Sequence, residues 1–128
     1  SDHPFKLDNQ QWTSVEHYYQ ALKFVNLEFQ SKIRNSNTSE LAKKLGQSWF
    51  KKKRSDFKEV RTTLMTRAIY TKAKTHSIVA NRIMETGDLE LVENSQFDYF
   101  WGCGRDHRGD NYYGNVLMNV RKKLIEEK

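Results

Sequence analysis

Thr13-Ser14-Val15-Glu16-His17-Tyr18-Tyr19-Gln20-Ala21-Leu22-Lys23-Phe24 carries a helix start and two helix faces in one run. Thr13 has the hydroxyl of an N-cap, and Glu16 stands three residues on, at the capping-box position. The helix is expected to continue to about Phe24. Val15, Tyr18 and Leu22 form an apolar face. Glu16, Gln20 and Lys23 lie at i, i+4 and i+7 and share another, with Tyr19 beside them. Glu16 either serves the helix itself, through the capping box or a pairing with Lys23 by way of Gln20, or presents a carboxylate to a site.

Outward from this run, further elements are read on both sides. Before it, Phe5-Lys6-Leu7 and Gln10-Gln11-Trp12 form a hairpin about Asp8-Asn9. After it, helices are expected over Leu27 to Arg34 and from Asn37-Thr38-Ser39-Glu40 to a C-cap at Gly46. Ser55 caps the longest helix, about Asp56 to Lys74, with Phe57, Val60, Leu64 and Ala68 as its buried stripe. A fifth runs from about Ser77 to Glu85, closed by Gly87. Leu89-Glu90-Leu91-Val92-Glu93 alternates as a short strand. A last helix, about Tyr113 to Ile125, buries Val116, Leu117, Val120 and Leu124. The expected fold is mainly α (α+β), one compact domain over residues 1–128 with two or three short β-strands.

Composition narrows the function. The 128 residues suit one hydrophobic core, and no linker or internal repeat divides them. No run of roughly 18 apolar residues exists to span a membrane. The single cysteine, Cys103, excludes an internal disulfide and a Cys-rich zinc site, and fits a reduced, cytoplasmic setting. His3, His17, His76 and His107 lack zinc-ligand spacing. The net charge of +6 favours anionic partners such as phosphorylated metabolites, nucleotides or nucleic acid. Lys51-Lys52-Lys53-Arg54 carries much of the excess, as a solvated loop or as a phosphate contact.

Four of the six glycines fall between Ser95 and Gly114, among charged and amide side chains. They match neither the Rossmann spacing nor a P-loop. Asp98 precedes Trp101 by three residues. Asp98 is a turn or capping residue, or the second member of an acidic pair with Glu16. Trp101 is a core residue, or stands at a pocket rim where it stacks on a planar ring. Asn111 offers both a donor and an acceptor. Two carboxylates brought together from distant segments suit acid–base work on a glycosidic bond, whose transition state resembles an oxocarbenium ion.

Taken in order, these motifs resemble the NADAR (YbiA-like) family. Glu16 to Phe24 is similar to its E-H-Y-Y/F-Q-A-x-K-F signature. Ala42 to Gly46 resembles A-x-x-x-G, Arg54 to Phe57 resembles R-x-D-W, and Thr86 to Glu93 resembles T-G-x-x-x-L-V-E. Asp98 to Gly102 resembles D-x-x-W-G, Gly109 to Gly114 resembles G-x-N-x-L-G, and Leu117 to Arg121 resembles L-M-x-x-R. Phe57 replaces the usual Trp and Tyr113 the usual Leu. The family's N-terminal segment, which ends near an F-S-N-F motif, is expected to be missing here.

The resemblance implies a mainly helical N-glycosidase that needs no metal or organic cofactor. Its implied substrates are a phosphorylated ribosylamino-pyrimidine of riboflavin synthesis or ADP-ribosylated guanine, the latter bringing nucleic acid as a partner. It implies Glu16 and Asp98 as the catalytic acids. It implies Trp101 and Gly102 beside the base or ribose, and Tyr19, Gln20, Lys23, Arg54 and Asn111 as substrate or phosphate contacts. The alternative is a non-catalytic ADP-ribose- or nucleotide-binding module using the same aromatic and basic residues.

Overall fold

The computed structural model describes residues 3–85 and 110–127; within these, the side chains of 85, 110–115 and 117 lie outside the description. The expected strand at Leu89 to Glu93, the cap at Gly87 and the burial of Leu117 therefore fall outside the described residues.

Strands β1 (Phe5–Leu7) and β2 (Gln10–Trp12) pair antiparallel, with Phe5 opposite Trp12 and Leu7 opposite Gln10. Asp8 and Asn9 sit at φ 55° and 62°. Both are left-handed, as a two-residue turn that matches strand twist requires, and Asp and Asn tolerate it better than most residues. Phe5 and Trp12 are buried, and the Trp12 indole donates to the Leu7 carbonyl at 2.9 Å.

Helix α1 (Val15–Ala21) follows, and all seven of its residues are buried. A helix that hides its polar residues as well is an internal one. It packs against α2 (Leu27–Arg34), α3 (Ser39–Gly46) and α4 (Phe57–Thr75). Helix α4 in turn packs against β1, α5 (Ser77–Glu85) and α6 (Asp110–Glu126). Met65, Ala68 and Ile69 of α4 join Val116, Val120 and Leu124 of α6 in one buried core with Phe5, Tyr18 and Ile33. The expected stripe of α4 is buried at Leu64 and Ala68 and half-buried at Phe57 and Val60.

Five expected boundaries change. The N-cap of α1 is Ser14, whose hydroxyl accepts from the His17 amide; Thr13 is exposed. Glu16 is thus one place short of the capping-box position. Helix α1 ends at Ala21 rather than Phe24, because Phe24 forms a β-bridge with Lys53. Asp56, not Ser55, precedes α4, and it makes no side-chain cap; its carboxylate is turned to Arg54. Gly46 is the last residue within α3, with Gln47 as C-cap. Helix α6 starts at Asp110, a turn earlier than expected. The ranges of α2 and α5 stand as read.

Candidate active site

Glu16 lies in the first turn of α1 and is fully buried. A buried carboxylate needs hydrogen-bond donors. One turn later Gln20, also buried, donates from Nε2 to Glu16 Oε2. The carboxylate thereby fixes which end of the amide faces it. The other end, Oε1, is buried and has no hydrogen-bond partner among the described residues. It points at Gly46 of α3, where a Cβ would lie 2.0 Å from Oε1 and 3.0 Å from Gln20 Cβ. Gly46 is therefore the space into which Gln20 fits. An unmet buried acceptor costs about 1–3 kcal/mol, a cost the chain bears where Gln20 is packed between Glu16 and Gly46.

A second cluster surrounds the C-terminal end of α1. Tyr19 is buried, edge-on to Phe57 with ring centroids 5.2 Å apart. The Lys23 ammonium stands 5.7 Å from the centre of the Tyr19 ring and 5.9 Å from that of Phe57. The Arg54 amide donates to the Lys23 carbonyl at 2.8 Å, and the Val25 amide to the Lys52 carbonyl at 3.3 Å. These bonds, with the Phe24–Lys53 bridge, lay the basic run directly against the end of α1. The Arg54 guanidinium is bidentate on Asp56, at 2.6 and 3.1 Å. That bond holds the Asp56 carboxyl below its ordinary range. A phosphate approaching Arg54 must displace or share this partner.

Two networks escaped the sequence reading. Ser14 Oγ and His17 Nδ1 are 2.7 Å apart, and His17 Nε2 is 3.0 Å from the Ser36 carbonyl. The carbonyl only accepts, so Nε2 carries the proton and Nδ1 accepts from Ser14. Ser14 Oγ in turn accepts from the His17 amide and from Ser39 at 3.2 Å. Burial lowers the His17 pKa, against the raising effects of the Ser36 bond and of Glu16 and Glu40. On the opposite side, the Tyr18 hydroxyl donates to Asp8 at 2.9 Å while Arg67 donates to Asp8 at 2.7 Å and to Tyr18 at 3.3 Å. Burial, then the Asp8 bond, raises the Tyr18 pKa. The Ser14-x-x-His17 spacing and the acidic turn residue Asp8 were the available signals.

The structure thus brings Glu16 and Gln20 into contact, and sets Lys23 beside Tyr19 with Arg54 tied to it through the backbone. Asp98, Trp101 and Gly102 lie outside the described residues. Asn111 is in the first turn of α6, its side chain outside the description. Among the described residues no group of three or more His, Cys, Asp or Glu is arranged to hold a metal ion, and no helix is long and apolar enough to cross a membrane.

The profile of the NADAR domain family matches residues 1–125. N-glycosidase Npun_R5314 of Nostoc punctiforme is 39% identical over 127 residues, which cover 97% of this chain and 81% of that protein. N-glycosidase YbiA of Escherichia coli is 31% identical over 125 residues, 98% of this chain and 78% of that protein. The NMR structure of E. coli YbiA superposes with a TM-score of 0.73 at 25% identity, covering 98% of this chain and 75% of that one. Riboflavin biosynthesis protein VVA0006 of Vibrio vulnificus is 36% identical over 115 residues, 90% of this chain and 31% of that protein.

Proposed function

The chain belongs to the NADAR family, and from that premise we propose that it is an N-glycosidase with Glu16 and Asp98 as its acidic pair. The observation that carries the assignment of Glu16 is its setting. It is fully buried, held by Gln20, and at the wrong position to complete a capping box. An internal carboxylate that costs desolvation and does not cap its helix is a candidate for chemistry.

The reaction is hydrolysis of a C1′–N bond. As that bond breaks, the sugar gains oxocarbenium character, which a carboxylate stabilises. Water forms the new C1′–O bond and gives up a proton to one carboxylate. The leaving nitrogen takes a proton, with the other carboxyl as donor. The preset plane of Glu16 keeps its oxygens in place without reorganisation. Lys23 and Arg54 meet the substrate phosphate, Tyr19 shapes the pocket wall, and Trp101, Gly102 and Asn111 hold the planar base.

The substrate proposed is a phosphorylated ribosylamino-pyrimidine. The support is the name of the Vibrio relative, a riboflavin biosynthesis protein. The net charge of +6 supports a second reading, ADP-ribosyl guanine. The test incubates the protein with each compound and follows release of free base by mass spectrometry. Glu16→Gln and Asp98→Asn are each expected to lower release by about a hundredfold to ten-thousandfold with the fold intact. Wild-type turnover in both variants would overturn the site.

A further inference from the structure

Outside the Glu16 site, an open groove of about 500 Å³ runs between α2, α3 and the segment that follows α3. Its floor is Phe29 and Leu45; Lys32, Lys44 and Lys51 rim it, with Glu28 as the one acid in its lining. The Lys51 ammonium stands 5.6 Å from the centre of the Phe29 ring. Phe50 lines the groove and is 70% exposed; Trp49, next to it in the chain, is 89% exposed, and the two rings are edge-on with centroids 5.8 Å apart. Exposed Trp and Phe side by side lose the hydrophobic stabilisation that burial would give them. They are followed at once by Lys51-Lys52-Lys53-Arg54.

We propose that this face binds single-stranded nucleic acid, with Trp49 and Phe50 stacking on bases and the lysines following the phosphates. Charge complementarity selects the occupant. The lysine rim on a chain of net charge +6 repels a second copy and attracts a polyanion. Among polyanions, one with planar rings at each repeat uses the two exposed aromatics, whereas an acidic peptide leaves them in water. A single strand offers its base faces, and base–aromatic stacking is tolerant of sequence. The segment then leads, through the Lys52 and Lys53 pairings, to Lys23 and Arg54, so a bound strand is directed toward the Glu16 site. The proposal rests on the groove and stands independently of the chemistry assigned to Glu16.

The test is fluorescence anisotropy with a labelled oligonucleotide of roughly a dozen nucleotides, single-stranded and double-stranded, and with polyglutamate of similar charge. Single strands are expected to bind more tightly than the other two. Trp49→Ala and Phe50→Ala should each weaken single-strand binding by at least about fivefold. Lys44→Glu with Lys51→Glu should weaken it further and flatten its salt dependence. Both aromatic positions are exposed, so circular dichroism should be unchanged. Equal affinity for all three probes, or aromatic variants that bind as the wild type does, would overturn the proposal. So would sedimentation showing a dimer that Trp49→Ala dissolves, since the face would then be occupied by a second copy.

Discussion

Gly46 and Gln20 compete for one volume, and that competition sets the geometry of Glu16. A methyl at position 46 meets the Gln20 amide at 2.0 Å and its Cβ at 3.0 Å. Gln20 is buried and has no open side to swing into, so Gly46→Ala must push the amide away from the carboxylate. Overpacking of this kind costs about 1–3 kcal/mol. N-glycosidase activity is expected to fall by more than the stability loss explains, because the remaining folded protein has a misplaced Glu16. The double variant Gln20→Ala/Gly46→Ala separates the two effects: once Gln20 is truncated, the added methyl finds room. The pair should be strongly non-additive in urea denaturation and in rate. Additive losses would show that Gly46 does not act through Gln20. The sequence displays Glu16 and Gln20 on one helix face, since i and i+4 spacing is local. It does not display Gly46 as their partner. Its glycine reads as a helix stop, and only the packing of α3 on α1 reveals that its lack of a side chain is what matters.

At the scale of the element, α1 is pinned at its N-terminal end by a histidine. His17 must be neutral for Nδ1 to accept from Ser14, while its Nε2–H is spent on the Ser36 carbonyl. Its folded pKa is below the ordinary 6.5, chiefly through burial. The sign follows from proton counting. Above pH 6.5 the ring is neutral in folded and unfolded chains, and His17 adds no pH dependence. Below it, the unfolded chain takes up a proton that the native state refuses, so stability falls as pH drops toward the folded pKa. Urea midpoints at about pH 8 and about pH 5 should therefore differ more for the wild type than for His17→Gln. An equal acid loss in both would place the effect elsewhere. The start of α3 is legible because Thr38, within the expected Asn37-Thr38-Ser39-Glu40 start, is a local cap that accepts from the Leu41 amide; Asn26 does the same for α2 with the Phe29 amide. The far end of α1 was not readable. Its periodicity runs on to Phe24, but Phe24 pairs with Lys53 and meets Phe29 edge-on at 4.7 Å, contacts that only the fold supplies. The start of α4 was missed by one residue because Asp56 spends its carboxylate on Arg54 rather than on the helix amides.

Across the whole molecule, the site depends on a core built by elements that do not themselves carry Glu16. Helix α4 links the two parts, touching α1 on one side and α5 and α6 on others. A helix buried on several sides has no single apolar stripe, which is why the sequence shows only one edge of its burial, at Leu64 and Ala68, and leaves Met65, Ile69 and Ala73 unremarked. Ile69 is fully buried in the cluster that contains Val116 and Val120 of α6 and Val79 and Ile83 of α5. Ile69→Ala removes methyl and methylene groups from this junction and leaves a cavity, for an expected loss of about 2–5 kcal/mol. Small domains have only about 5–15 kcal/mol in total, so the urea midpoint should drop sharply with little change in slope. The native fraction should keep its rate of base release, because the substitution is in the support and not among the residues proposed to meet substrate. Rate per folded molecule, with the folded fraction measured by circular dichroism, is the deciding quantity. A midpoint close to the wild type would remove Ile69 from the core. A normal midpoint with lost turnover would instead place α4 in the reaction itself.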